Sequence, residues 1–258
     1  MNRSKQAFGN WVSLRLVVSL ASLAALAAIL AAAAGAWPGL RWTLIAIAAL
    51  FAASSAYFAR ARRLLSPKGG DAQRNVANLL VARVVADGHA SLIDIGCGDG
   101  SLDIAVAKSL PGAKVTGIDY WGGMWGYSQE LCERNAAASG LSDRLAFVKA
   151  SAAALPFPDE SFDFAFSNMV FHEVSGPRDK KELLREALRV VRRGGGFAFQ
   201  DLFKLRRSYG SIDEILAFLG GIGARDLRFV DTSESPFIPR ELRLPFMVGS
   251  IGLVYGTK

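Results

Sequence analysis

The run Leu92-Ile93-Asp94-Ile95-Gly96-Cys97-Gly98-Asp99-Gly100 constrains the fold of this chain more than any other segment. It reads as a buried strand that runs into an acidic, glycine-rich turn. Such a turn lets backbone N–H groups approach a ligand closely, because glycine has no Cβ in the way. Gly117-Ile118-Asp119 closes a second short apolar run, about 20 residues further on. This is the layout of a nucleotide-binding βαβ unit with a carboxylate set to meet a ribose.

The pattern repeats downstream. Short apolar runs at 91–95, 114–118, 145–148, 162–167 and 197–200 read as strands. Helical spacing predicts helices between them: Leu102, Ala105 and Val106 share one stripe after the first strand. Further helices are predicted at 127–139, 178–191 and 212–219, and 227–230 with 249–255 as a closing hairpin-like pair. Gly194-Gly195-Gly196 reads as the turn into the fifth strand. Strands alternating with helices imply a Rossmann-like, doubly wound α/β sheet, mostly parallel, with an antiparallel C-terminal strand. Ligands then bind at the carboxyl ends of the strands, beside the first one.

The N-terminal quarter differs in kind. No residue from Leu16 to Leu40 is charged, a stretch of about 25, and a helix needs roughly 20 to cross the hydrocarbon layer. Trp42 to Ala59 is a second uncharged stretch of about 18. Trp37-Pro38-Gly39 supplies a turn between them. Trp11, Trp37, Trp42 and Tyr57 lie near the ends, where amphipathic rings favour the headgroup zone. The expectation is a two-helix transmembrane hairpin, about 16–36 and 42–59, in an anchor of residues 1–65. Residues 66–258 then form the globular domain. Arg3, Lys5 and Arg15 precede the first span and Arg60, Arg62 and Arg63 follow the second, with only Arg41 between them. That bias puts both termini and the large domain in the cytoplasm. A cleaved signal peptide, with Ala34-Gly35-Ala36 as its processing site, fits less well, because the apolar run is too long and a second follows at once. A helical pair packed on a soluble partner would need a polar face that this segment lacks.

The net charge is +7, without the interleaved basic and aromatic residues of a nucleic-acid footprint. The basic cluster after the second apolar run reads as a solvated surface with some attraction to anionic headgroups. Cys97 and Cys132 form no CxxC pair, which argues against a zinc site or disulfide framework and suits reduced thiols.

The turn Asp94-x-Gly96-x-Gly98-x-Gly100 resembles motif I of the class I S-adenosylmethionine-dependent methyltransferases. Leu155-Pro156-Phe157-Pro158-Asp159-Glu160-Ser161-Phe162-Asp163 resembles the block that leads into that family's fourth strand. Residues 184–195, LREALRVVRRGG, resemble a later block of the family, with Arg193 in place of its proline. The resemblance implies that Asp94, Gly96, Cys97 and Gly98 hold the methionine end of S-adenosyl-L-methionine. It implies that Asp119 takes the ribose hydroxyls and Tyr120 lies against the adenine. Asn168 would lie near the methionine moiety. Ala150-Ser151-Ala152 stands where the family often has Gly-Asp-Ala, so Ser151 or the backbone near Ala152 must replace a carboxylate at the adenine. Of two histidines, His89 and His172, the second follows the fourth strand in a position that faces the transferred methyl in the family. His172 is therefore the candidate general base or acceptor-positioning residue.

Each role has a plainer counterpart. Asp94 could tie down a loop, Asp119 could cap a helix, and His172 could pack at a pocket rim. Tyr120-Trp121-Gly122-Gly123-Met124-Trp125-Gly126-Tyr127 reads either as a lid over the donor or as rings buried in the core or at the lipid interface. The implied acceptor is a small molecule or lipid, such as a quinone, isoprenoid, sterol-like compound or fatty acyl. A short-chain dehydrogenase is disfavoured, because no tyrosine is followed four residues later by lysine. A membrane-bound sensor that binds the nucleoside without turnover is the non-enzymatic alternative.

Overall fold

A computed structural model describes residues 8–122, 126–176 and 179–258. The chain divides into two compact units, Asn10–Gln73 and a larger one that holds Gly9, Arg74–Gly122 and the rest from Gly126 onward.

The first unit is a helical hairpin. Helix α1 (Leu14–Ala33) opens on Ser13, whose hydroxyl accepts from the Arg15 amide at 3.2 Å. Helix α2 (Pro38–Leu65) starts on the proline, whose missing N–H costs nothing at a first helical position. Ser55 Oγ in α2 donates to the Val17 carbonyl in α1 at 3.0 Å. Leu26, Ile29, Trp37, Trp42 and Leu50 lie exposed. Both helices are long and apolar enough to cross a membrane.

The second unit is built on one seven-stranded sheet: β1 (Ser91–Ile95), β2 (Lys114–Asp119), β3 (Leu145–Lys149), β4 (Phe162–Asn168), β5 (Val191–Asp201), β6 (Arg225–Val230) and β7 (Gly252–Thr257). The order is β3-β2-β1-β4-β5-β7-β6. The first five strands run parallel, and β7 is antiparallel to both β5 and β6. The expected closing pair is therefore present, with β7 slotted inside rather than at the edge. Helices α3 (Ala72–Val81), α4 (Ser101–Ser109), α5 (Gln129–Ala138), α6 (Lys181–Arg189), the single turn α7 (Arg206–Tyr209) and α8 (Ile212–Gly221) complete the unit. Arg178, where the sixth helix was expected to begin, lies outside the described residues.

Side chains alternate along β1, so its two faces enter different cores. Ile93 and Ile95 pack with Leu183, Leu184 and Leu188 of α6 and Ile215 and Leu219 of α8. Leu92 enters the opposite cluster, with Ile104 and Val106 of α4 and Cys132 and Ala136 of α5. Asp94 follows Leu92 by two positions and therefore points toward α4 and α5, into an apolar layer. That placement matters below.

The triple glycine is not a turn that precedes a strand. Strand β5 already begins at Val191, paired with Phe162, and the ladder resumes at Gly196–Phe164 across an irregularity. Gly194 has φ 76°, and its N–H donates to the Lys258 carbonyl at 2.6 Å. A Cβ on Gly195 would stand 2.7 Å from the Asp163 carbonyl oxygen, and one on Gly196 2.5 Å from Phe164 Cδ2. The glycines serve close strand packing beside a buried ring.

Gly196→Ala is expected to destabilise the domain by about 1–3 kcal/mol through overpacking against Phe164, read as a lowered thermal midpoint. An unchanged midpoint would show that the Phe164 ring yields freely.

Candidate active site

The glycine turn is closed by the strand beside it. Gly96 N and Cys97 N both donate to the Ile118 carbonyl, at 2.7 and 3.0 Å. Gly96, Gly98 and Gly100 take φ values of 86°, 58° and 77°, a region that only glycine enters at little cost. At Gly96 the space of a side chain is filled by Val170 from beyond β4. The turn then feeds helix α4, whose N-cap is Gly100.

Asp119 ends β2 and locks the same turn. Its Oδ2 accepts from Gly98 N at 3.0 Å and its Oδ1 from Trp121 N at 2.7 Å. Each oxygen keeps a second lone pair, so the carboxylate can still accept from two hydroxyls. Asp119 is thus both a structural tie and a presented acceptor. Tyr120, next in the chain, is 69% exposed, with Lys149 Nζ 5.5 Å from its ring centroid.

The aromatic segment divides between its two expected uses. Trp121 packs on the α4–α5 side of the core and donates its indole N–H to the Gly98 carbonyl at 3.0 Å. Its φ of 45° is unusual for a bulky residue. Tyr127 brings its ring to the Gly98 position, where a Cβ would meet it at 3.4 Å. Residues 123–125 lie outside the described residues.

Ser151 sits in a short bridged turn with Ala154, and its hydroxyl accepts from Ala153 N at 3.2 Å. It can still donate outward. Ala152 is buried beneath it. Asn168 closes β4, and its Oδ1 accepts from Gln200 Nε2 at 3.0 Å. Asp94 is fully buried, and neither carboxylate oxygen has a hydrogen-bond donor.

His172 has a partner that the sequence did not announce. Its Nδ1 lies 2.7 Å from Oδ1 of Asp201, the last residue of β5. Asp201 is fully buried and is held by backbone donors: Leu202 N to Oδ1 at 2.6 Å, Val170 N to Oδ2 at 3.0 Å and His172 N to Oδ2 at 3.4 Å. The phenol of buried Tyr209 faces the same carboxylate, and burial together with that charge keeps it protonated. Burial alone would lower the His172 pKa. The Asp201 charge and hydrogen bond, with Glu173 nearby, outweigh it and raise the value. An imidazole fixed at Nδ1 presents Nε2 as its other face, with Glu173 Oε1 3.7 Å away. Because Val170 abuts Gly96, this face belongs to the same end of the sheet as the glycine turn.

These residues fit a nucleoside that carries positive charge. Asp119 offers lone pairs, the Tyr120 ring is uncovered, and Asp94 waits without a donor. The expected residues from β1, β2 and β4 gather at the carboxyl ends of adjacent strands, as the topology requires.

Comparison with known proteins agrees. Residues 93–199 match the family model described as "Methyltransferase domain". The chain is 35% identical over 113 residues to 27-O-demethylrifamycin SV methyltransferase of Amycolatopsis mediterranei, a match that covers 43% of this chain and 38% of that protein. It is 31% identical over 142 residues to demethylmenaquinone methyltransferase of Thermus thermophilus, covering 51% and 58%. These matches span less than two thirds of either relative. Geranyl diphosphate C-methyltransferase of Streptomyces coelicolor, solved with S-adenosyl-L-homocysteine, shares the fold with a TM-score of 0.57 at 15% identity, covering 74% of this chain and 82% of that one. Residues 93–199 are therefore a methyltransferase domain of the S-adenosylmethionine-dependent class.

Proposed function

We propose that this protein is a membrane-anchored enzyme that methylates a small, lipophilic acceptor bearing an acidic O–H or similar group, with His172 as its general base. The observation that carries the reading is the His172–Asp201 pair beside the glycine turn. A buried carboxylate that orients an imidazole is wasted on a protein that only binds its nucleoside. This favours turnover over the sensor alternative.

The donor, when bound, supplies an electrophilic methyl group on a sulfonium. The residues assigned to it are Asp94, Gly96, Cys97, Gly98, Asp119, Tyr120, Ser151, Ala152 and Asn168. Backbone and carboxylate groups in the turn orient it, and Tyr120 covers its base. His172 takes the acceptor proton at Nε2 while Asp201 stabilises the imidazolium that forms. The remaining barrier is lowered by holding acceptor and donor at reacting distance and excluding water.

The lipophilic acceptor and the anchor rest on the first unit. Two uncovered apolar helices with Arg15 before them and Arg60, Arg62 and Arg63 at the end of the second support an anchor of residues 1–65. The catalytic domain, 66–258, then works on the cytoplasmic face, at a bilayer in which its acceptor dissolves. Full-length protein is expected to stay in the membrane pellet after an alkaline carbonate wash. Complete release into the supernatant would remove the anchor from the reading. Membranes incubated with methyl-labelled donor should yield label in the organic extract.

Asp119→Ala removes two charge-assisted acceptors and is expected to weaken donor binding roughly 10- to 100-fold by calorimetry. Donor affinity equal to that of the native protein would refute the ribose assignment. His172→Gln should lower kcat by about 10²–10⁴ and leave donor affinity near native. The base works only when neutral, so kcat should rise with pH through an inflection above the ordinary histidine value of about 6.5. Asp201→Asn removes the charge that raises it, so the inflection should move down. A native profile that is flat from pH 5.5 to 9 would exclude this base.

A further inference from the structure

The loop between β6 and β7 returns to the sheet beside the residue that orients His172. Gly252, the first residue of β7, pairs with Asp201 in the ladder, and Lys204 N donates to the Ser250 carbonyl at 3.0 Å. Lys204 Nζ reaches Asp231 Oδ2 at 2.7 Å and Ser233 Oγ at 2.9 Å, at the start of the same loop. Residues 231–251 therefore stand at the carboxyl ends of the strands, the end that carries the glycine turn.

The loop is braced so that one turn faces outward. Ile238, Leu242, Val248 and Ile251 are buried. Arg243 ties the loop to itself, donating from Nε to the Ile238 carbonyl and from Nη2 to the Ser235 carbonyl, each at 3.3 Å, and pairing with Glu234 Oε2 at 3.1 Å. Met247 N and Gly249 N both donate to the Leu244 carbonyl, at 2.9 and 3.0 Å. A Cβ on Gly249 would collide with the Arg243 carbonyl, so the turn needs that glycine. What it presents is apolar. Leu244 is 39% and Phe246 60% exposed, with exposed Pro245 between them. The other exposed large apolar side chains among the described residues of the larger unit are Phe8, Val85 and Tyr120, far from one another in the chain. Scattered apolar side chains need no partner, whereas a group of them at the mouth of a site marks a contact surface.

The surroundings select the partner. Arg240 in the loop, and Arg206 and Arg207 just past Lys204, are exposed. An apolar tip ringed by cations suits an interface of acyl chains and anionic headgroups. Only residues 66–71 separate the apolar helix α2 from α3, so an anchored chain keeps a bilayer within reach. We propose that the Leu244-Pro245-Phe246 turn enters the bilayer that holds α1 and α2, and so sets the mouth of the acceptor site against the lipid. The inference rests on the anchor proposed above and adds a second, reversible membrane contact made by the catalytic domain. An acceptor dissolved in the bilayer then reaches His172 without crossing bulk water.

The full chain carrying Phe246→Cys, labelled with a polarity-sensitive fluorophore, tests this in vesicles of phosphatidylcholine with and without phosphatidylglycerol. Cys97 and Cys132 are buried, so the label goes to the new thiol. The expected result is a blue-shifted emission that lipid-borne nitroxide quenches, more strongly with the anionic lipid. The same label at Val85→Cys, in the chain leading into the amino end of β1, should stay aqueous and unquenched. The double variant Leu244→Ser, Phe246→Ser should raise KM for acceptor in a native lipid extract roughly tenfold and leave S-adenosylmethionine affinity native. An aqueous label at position 246 in chain that remains with the vesicles would overturn the inference and leave the anchor intact. A blue shift without lipid quenching would overturn it too, since protein then covers the turn. Equal quenching at positions 85 and 246, or an unchanged KM in the double variant, would do the same. Chain that does not remain with the vesicles would overturn the anchor and the inference together.

Discussion

Two backbone amides donating to one carbonyl hold this active end together. Gly96 N and Cys97 N both reach the Ile118 carbonyl, and Asp119, next in the chain, returns the tie by accepting from Gly98 N. The end of β2 and the turn after β1 are therefore one object. Three left-handed glycines make the path possible, and Val170 fills the place where the first would carry a side chain. From this knot the helix α4 leaves in one direction and the chain after β2 in another. Disturbing either strand end changes both.

The second organising centre is Asp201. It sits at the last position of β5, where the strand leaves the sheet, and it collects three backbone amides and an imidazole. Its charge is what lets His172 keep a raised pKa against burial. The arrangement also orders the chain after β4, because Val170 and His172 amides bind the carboxylate that orients the ring. Support for the imidazole and support for the loop are one set of bonds. Asp94 and Asp103, buried behind the turn, contrast with Asp201, because their carboxylate oxygens have no such donors.

Much of the larger unit was legible from pattern alone. The strands β1 to β4 are short apolar runs bounded by polar or glycine turns, and burial of β1 and β4 on both faces makes that signature strong. The strand β5 was read too short because Arg192, Arg193 and three glycines look like a loop. They are held in the ladder by β4 on one side and the chain end at Lys258 on the other, a partnership separated by more than sixty positions. Asp103 lies in the first turn of α4, where an aspartate normally faces water, yet it is buried over Gly117, and a glycine in mid-strand signals something packed closely against it.

The sequence by itself determined the alternation of strand and helix, the glycine turn with its two acidic companions Asp94 and Asp119, and the apolar character of the first sixty-odd residues. These are local properties, written in spacing and side-chain type. The tertiary structure alone decided that His172 meets Asp201, that Asp103 is buried over Gly117, and that β7 enters between β5 and β6. Each of these joins groups from separate strands or helices. No periodicity records such a meeting, because it depends on sheet order and on which face of each strand turns inward.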